Sequence, residues 1–199
     1  MNSMSKAIFL GLLFASGTTV GIRAQSVMAN AQISSQAAGG GFYDYTVTLN
    51  NTSASTSIET FWFSWVPGED FLPSSPTSVQ APTGWTYSIK GGPYYYYGYS
   101  YYDGYSLEFT TPSTPLAAGA SLTFGFVSPD SPNAIAGDNP YFGYPIGTSY
   151  VFSGGNASGA SEQFLVQTVV PEPSSLNFIA AGLTGLLVGR RRRLKASPA

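Results

Sequence analysis

The chain contains no cysteine and no histidine among its 199 residues. This absence excludes disulfide bridges, thiolate nucleophiles, catalytic triads that use histidine, and zinc sites with histidine or cysteine ligands. Carboxylate pairs, as in glycoside hydrolysis, remain available, but the adjacent Glu69 and Asp70 cannot face each other across a substrate on a simple turn. The acidic residues also follow no regular calcium-loop spacing. We therefore expect no enzyme activity, no cofactor and no metal site.

Positive charge is nearly absent from the middle of the chain. Between Gln32 and Val170, Lys90 is the single cation beside nine acidic residues, which gives this segment a net charge of −8. A surface of this sign repels nucleic acid and anionic lipid. We therefore expect no nucleic-acid partner.

Three features follow one another at the end of the chain. The tripeptide Pro171-Glu172-Pro173 is followed by an apolar segment over residues 176–189 and then by a basic cluster. As a helix the apolar segment would rise about 21 Å, which is short for a hydrocarbon core of about 30 Å. We predict a short transmembrane helix with a membrane stop that stays cytoplasmic, because arginine crosses bilayers poorly. The stop consists of Arg190, Arg191, Arg192 and Arg193.

The run Val170-Pro171-Glu172-Pro173-Ser174, with the Leu/Gly-rich segment and the arginine cluster behind it, resembles the PEP-CTERM sorting domain. The resemblance implies recognition by an exosortase, a multi-pass membrane protease-transpeptidase of Gram-negative bacteria that also make exopolysaccharide. This chain would be the substrate, with Pro171, Glu172 and Pro173 as the recognition element, so no catalytic residues are carried over. A plain single-span tail anchor is the alternative.

The beginning of the chain is typical of an export signal. Lys6 precedes an apolar run over residues 7–20, as in secretory signal peptides. Small residues allow cleavage after Ala24 or after Ala31, and the sequence leaves both open. We divide the chain into a signal peptide (1–31), an exported domain (32–168) and a C-terminal sorting signal (169–199). The protein would insert transiently in the inner membrane and then reach the cell surface or the extracellular space.

The exported domain shows period-two alternation of apolar and polar residues and no helical spacing of useful length. This pattern predicts an all-β fold, a single antiparallel β-sandwich of immunoglobulin-like or jelly-roll type. One bulky run places Phe61, Phe63 and Trp65 on one face and Trp62 on the other, which indicates a central strand. A Tyr-Thr-Val-Thr-Leu strand with a later Pro-Leu-x-x-Gly-x-Ser-Leu strand also resembles bacterial immunoglobulin-like adhesion modules.

Eight tyrosines lie within the twelve residues from Tyr94 to Tyr105. Asp103-Gly104 is a typical two-residue hairpin turn, so we expect residues 94–102 to pair with residues 105–111. Tyrosine offers a rigid apolar ring with a polar tip, which makes Tyr97, Tyr99 and Tyr101 a possible ligand surface. The alternative is a solvated hairpin in which tyrosine serves β-propensity.

Two functional hypotheses follow from these features. The first is a non-catalytic exported protein with a structural or adhesive role at the cell surface or in the exopolysaccharide matrix. The second is a secreted carbohydrate-binding or carbohydrate-active module that uses the tyrosine-rich hairpin. The absence of histidine and cysteine, together with the scarcity of charge, favours the first hypothesis.

Overall fold

A computed structural model describes residues 26–96, 99–139 and 142–168, and for residues 94–96 and 99–102 it describes the backbone alone. Within these ranges the chain is nearly all β, and its strands pair antiparallel except for one pair, so the predicted all-β class is confirmed. The same ranges contain no helix long and apolar enough to cross a membrane. The apolar run of the signal peptide and the sorting signal lie outside the described residues.

The first sheet contains five strands in the order β12-β1-β2-β9-β6. Apolar residues of β2 and β9 point inward and alternate with outward Thr, Ser and Asn, which follows the predicted period of two. β12 is the one strand that pairs parallel to its neighbour. The strands are β1 (Ala29–Gly39), β2 (Phe42–Asn51), β6 (Thr77–Gln80), β9 (Ser121–Ser128) and β12 (Gln167–Thr168).

The second sheet contains five strands in the order β11-β10-β3-β8-β7. β3 occupies the middle of this sheet and is buried on both faces, as its bulky sequence predicts. A two-stranded hairpin, β4 (Trp65–Val66) and β5 (Glu69–Asp70), follows β3, and a single helical turn, α1 (Pro132–Ile135), follows β9. The sheet strands are β3 (Thr60–Phe63), β7 (Thr86–Tyr96), β8 (Tyr99–Thr110), β10 (Thr148–Gly154) and β11 (Ser158–Leu165).

Both sheets contribute their inner faces to one hydrophobic core. Phe61 of β3 is fully buried, and its ring centroid lies 5.3 Å from that of Phe124 in β9 of the other sheet. Phe109 of β8 and Phe164 of β11 pack on the same ring at 5.9 and 6.2 Å. This aromatic contact joins the sheets without any disulfide, as the composition requires.

Two residues before residue 32, the predicted start of the exported domain, pack against the sheets. Val27 is 3% exposed and belongs to the core. Both main-chain groups of Met28 are hydrogen-bonded: its N–H donates to Ser53 Oγ at 2.8 Å, and its carbonyl accepts from the Thr52 N–H at 2.8 Å. Val27 and Met28 therefore pack with the rest of the domain.

The tyrosine-rich hairpin exists, but its turn lies elsewhere than predicted. β7 and β8 stay paired up to Tyr96 opposite Tyr99, so residues 97–98 connect them. Asp103 and Gly104, the predicted turn, lie inside β8 instead. Gly104 serves a tertiary contact instead of a turn: a Cβ at this position would lie 2.4 Å from the Asp70 carbonyl oxygen. Glycine is required there for close packing.

Gly91 and Gly92 continue β7 without interrupting it. Their φ angles of 82° and 100° lie in the region that favours glycine, and a β-bulge forms between them. The ring of Tyr105 lies beside Gly92, 3.1 Å from the place that a Cβ would occupy. The bulge thus lets β7 remain paired with β8 over its full length.

Candidate functional site

The β4–β5 hairpin lies across the outer face of the second sheet, and we call residues 65–70 the strap. β4 packs against β10, whereas β5 packs against β8 and β7. Each strap strand is two residues long and pairs only with the other, Trp65 opposite Asp70 and Val66 opposite Glu69. The strap therefore covers a sheet face that would otherwise meet solvent.

A kink at Ser64 changes the side on which Trp65 lies. Ser64 has φ of 61°, a left-handed conformation that non-glycine residues seldom adopt. The prediction that Trp65 shares a face with Phe61 and Phe63 is therefore wrong. Trp65 instead stacks on Trp62, with ring centroids 4.3 Å apart and an interplanar angle of 25°.

Four aromatic side chains form a second cluster outside the main core, the outer aromatic cluster: Trp62, Trp65, Tyr150 and Phe152. Tyr150 meets Trp65 edge-on at 5.6 Å and stacks on Phe152 at 6.0 Å. Trp62 and Phe152 are nearly buried, at 9% and 8% exposed, whereas Trp65 and Tyr150 are half-buried. The cluster thus presents two partly exposed rings on a rigid aromatic base.

The other end of the strap buries a carboxylate. Asp70 is 8% exposed, and one of its oxygens lies 2.7 Å from the place that a Cβ at Gly91 would occupy. Its main-chain N–H donates to Asp103 Oδ1 at 3.2 Å. The glycines of β7 and β8 therefore allow the strap to approach the sheet closely.

Burial raises the pKa of the Asp70 carboxyl above its ordinary value. The Ser106 hydroxyl lowers this pKa, although it makes no hydrogen bond of normal geometry. The negative charge of Asp103 raises the pKa, and the positive charge of Lys90 lowers it. The net effect is a raised pKa, because desolvation by burial is the largest of these influences.

Within the part of the chain that the structure describes, five buried polar side-chain atoms lack a hydrogen-bond partner. All five belong to the strap, to the residue before it or to the sheet face beneath it. Such atoms are rare in folded proteins, and each costs about 1–3 kcal/mol. One is a donor, two are carboxylate oxygens and two are hydroxyls that can both donate and accept. They are Trp62 Nε1, Ser64 Oγ, Glu69 Oε2, Asp70 Oδ1 and Ser106 Oγ.

A polar pair lies next to the aromatic cluster on the same sheet face. Glu108 of β8 pairs with Trp62 of β3 in register and accepts a hydrogen bond from Ser88 Oγ at 2.9 Å. Lys90 Nζ lies 3.1 Å from Glu108 Oε2. Lys90, the single cation between Gln32 and Val170, is therefore paired with Glu108. Among the described residues, no group of three His, Cys, Asp or Glu could hold a metal ion.

The structure places few of the predicted site residues. Tyr97 lies outside the described residues, and the backbones of Tyr99 and Tyr101 pair with those of Tyr96 and Tyr94. Every residue of the sorting motif and of the membrane stop also lies outside the described residues: Pro171, Glu172, Pro173, Arg190, Arg191, Arg192 and Arg193.

The acidic loop after β9 has a structural role around Asp130. This carboxylate accepts hydrogen bonds from Ser74 Oγ at 2.7 Å and from Ser128 Oγ at 3.0 Å. The carbonyl of Asp130 accepts from the Tyr45 hydroxyl at 2.6 Å. Burial raises the pKa of Tyr45, and the negative charge of Asp130 adds to this effect, so the phenol stays protonated as a donor.

No protein-family model and no curated protein matches the chain. Solved structures similar to it include the GH20 exo beta-N-acetylglucosaminidase from Vibrio harveyi, as an inactive mutant and in complex with N-acetylglucosamine. Each is 12% identical with a TM-score of 0.34. The alignments cover 71% of this chain but 18% of the enzyme, so the chain spans less than a fifth of that enzyme's length. A likeness of this degree carries no argument about activity.

Proposed function

We propose that the chain is a non-catalytic exported protein that an exosortase sorts to the cell surface or to the exopolysaccharide matrix, where its β-domain has a structural or adhesive role. The proposal rests on the sequence of the tail, in which Pro171-Glu172-Pro173 is followed by an apolar segment and then by an arginine cluster. These three elements act at one membrane: the prolines keep the motif extended, the apolar segment inserts, and the arginines stop transfer.

A single β-sandwich is the architecture that this proposal assigns to the exported domain. Two five-stranded sheets around one core support it. The domain needs no disulfide, and its excess of acidic residues favours solubility outside the cell. Such a domain is suited to a display or matrix role, because its stability does not depend on oxidation after export.

Cleavage of the export signal after Ala24 is part of the proposal. Burial of Val27 and the hydrogen bonds of Met28 support this site over Ala31. Cleavage after Ala31 would remove the first three residues of β1, including Ala29 and Ala31, which are 8% and 1% exposed. Cleavage after Ala24 leaves the whole strand in the mature protein.

Binding of carbohydrate is the second candidate function. The observation that favours it is the concentration of aromatic side chains away from the core, in the outer aromatic cluster, in a chain that also has a long hairpin of tyrosine-rich sequence. Aromatic rings with polar tips are common in recognition surfaces. A binding role is compatible with sorting to a polysaccharide matrix.

Processing of tail variants tests the proposed function. We expect Glu172→Ala and Pro173→Ala to abolish removal of the tail in a host with an exosortase, because both residues belong to the recognition element. Ser175→Ala is the matched control, since this residue lies just beyond the tripeptide, and it should be processed normally. Normal processing of both motif variants would contradict the proposal.

A further inference from the structure

We propose that the outer aromatic cluster binds a neutral polysaccharide, with Trp65 and Tyr150 stacking on sugar rings and Gln163 bonding to hydroxyl groups. The inference deepens the second candidate function, on which it rests, and assigns it to a site other than the tyrosine-rich hairpin. Two of the chain's three tryptophans lie in this cluster rather than in the core. The C–H faces of pyranose rings stack on flat aromatic rings, so the chemistry of the surface matches this class of ligand.

The two partly exposed rings are held in place before any ligand arrives. Trp62 supports one face of Trp65 at 4.3 Å, and Tyr150 meets Trp65 at an angle of 79°. The Tyr150 hydroxyl donates to Gln163 Oε1 at 2.8 Å, which fixes both side chains. Aromatic groups that are already immobile lose little conformational entropy on binding.

Polar groups around the rings suit hydroxyl groups. Gln163 is exposed, and its amide nitrogen can donate to a sugar oxygen while its carbonyl accepts from Tyr150. Sugar hydroxyls both donate and accept hydrogen bonds, so an exposed amide matches them.

The shape of the face suits a polymer rather than a single sugar. Gln163 belongs to β11, the edge strand of the second sheet, and pairs in register with Tyr150. Ser161 and Leu165, two residues away on either side, are also exposed and share this face. The surface therefore continues from the aromatic rings over the exposed residues of β11, and a chain of sugars can lie across it.

Charge excludes anionic polymers from this face. Glu69 belongs to the strap, and the segment from Gln32 to Val170 carries a net charge of −8. The nearby cation, Lys90, is held by Glu108 at 3.1 Å. A polymer that carries carboxylate or sulfate groups would be repelled. A neutral polysaccharide is the ligand that these charges allow.

Native electrophoresis of the full chain, purified in mild detergent, tests the inference in gels that contain barley β-glucan, guar galactomannan, dextran or alginate. We expect retardation by at least one neutral polymer and none by alginate. Trp65→Ala should weaken binding about tenfold through loss of the stacking ring. Gln163→Ala, which removes an exposed amide, should also weaken it. Tyr87→Ala is the control, because this exposed tyrosine lies on β7 at the opposite edge, and it should bind normally.

The inference would be overturned by no retardation by any neutral polymer or by retardation by alginate alone. Unchanged binding of both Trp65→Ala and Gln163→Ala, or an equal loss of binding in Tyr87→Ala, would also overturn it. Loss of binding only when Tyr97, Tyr99 and Tyr101 are changed to Ala would move the site to the hairpin and also overturn it. Thermal unfolding shows whether Trp65→Ala still folds. If it does not, Gln163→Ala alone tests the inference, because this side chain is exposed and its loss leaves the fold intact. Tail processing is measured separately, so failure of sorting and failure of binding are distinguishable.

Discussion

Trp65 stacks on Trp62 with ring centroids 4.3 Å apart. In a regular strand, two residues three positions apart would point to opposite faces of the sheet. The left-handed backbone at Ser64 makes this contact possible, because it turns the chain back over the sheet. The kink therefore determines where the strap lies and, with it, where the outer aromatic cluster forms.

Substitution of Ser64 tests the kink. Ser64→Gly should raise the free energy of unfolding by about 1 kcal/mol, because glycine adopts positive φ without strain and the hydroxyl it removes has no partner. Ser64→Val should lower it by about 2 kcal/mol, since β-branched residues resist positive φ. Urea unfolding of both variants measures the difference, and equal stability would contradict the assigned conformation.

Asp70→Asn should stabilise the protein at pH 7 by about 1 kcal/mol, because a neutral amide loses less on burial than a carboxylate. The folded-state pKa of Asp70 is raised above the ordinary value of 3.8. The contribution of Asp70 to the free energy of unfolding is therefore fully present below pH 3.8 and is lost as the pH rises through the folded-state pKa. The gain in melting temperature should be large at pH 7 and small at pH 3. A gain of the same size at both values would show that Asp70 is not desolvated.

Gly104→Ala should destabilise the domain by about 1–3 kcal/mol through overpacking. The added Cβ would lie 2.4 Å from the Asp70 carbonyl oxygen and 2.9 Å from that of Leu72, and backbone atoms cannot move aside cheaply. Gly155→Ala is the matched control, since its Cβ meets only Glu59 Oε2 at 3.8 Å. Thermal unfolding measures both variants, and an equal loss of melting temperature would contradict the close approach of the strap.

The exported protein should begin at Gln25, as N-terminal sequencing of secreted material would reveal. A variant that begins at Gln32 should unfold at a lower temperature, because it lacks Val27 and the first strand residues of the core. Recovery of Gln32 as the natural terminus, with unchanged stability, would refute this part of the account.

Local patterns were enough to predict strands in which apolar and polar residues alternate regularly. In β2, Tyr45, Val47 and Leu49 alternate with polar residues, and all three are buried. The same alternation occurs in β7, where Tyr87 is nevertheless 49% exposed. β7 is an edge strand, and alternation alone cannot distinguish a covered edge from an open one.

Features that depend on contacts distant in sequence were not predictable. Asp103-Gly104 has the local chemistry of a hairpin turn, but Gly104 is needed where the strap meets β8. Nothing beside Ser64 in the sequence indicates a positive φ. The outer aromatic cluster depends on that kink, so the proposed sugar surface could be recognised only once the strap was placed.

Intact-mass measurement of the protein from a host with an exosortase and from a host without one tests the central claim most directly. The account predicts that the tail from about Pro171 to Ala199 is lost only in the first host, and that the remaining β-domain is found outside the cell. An identical full-length tail in both hosts would contradict it and would leave a protein anchored by its apolar segment.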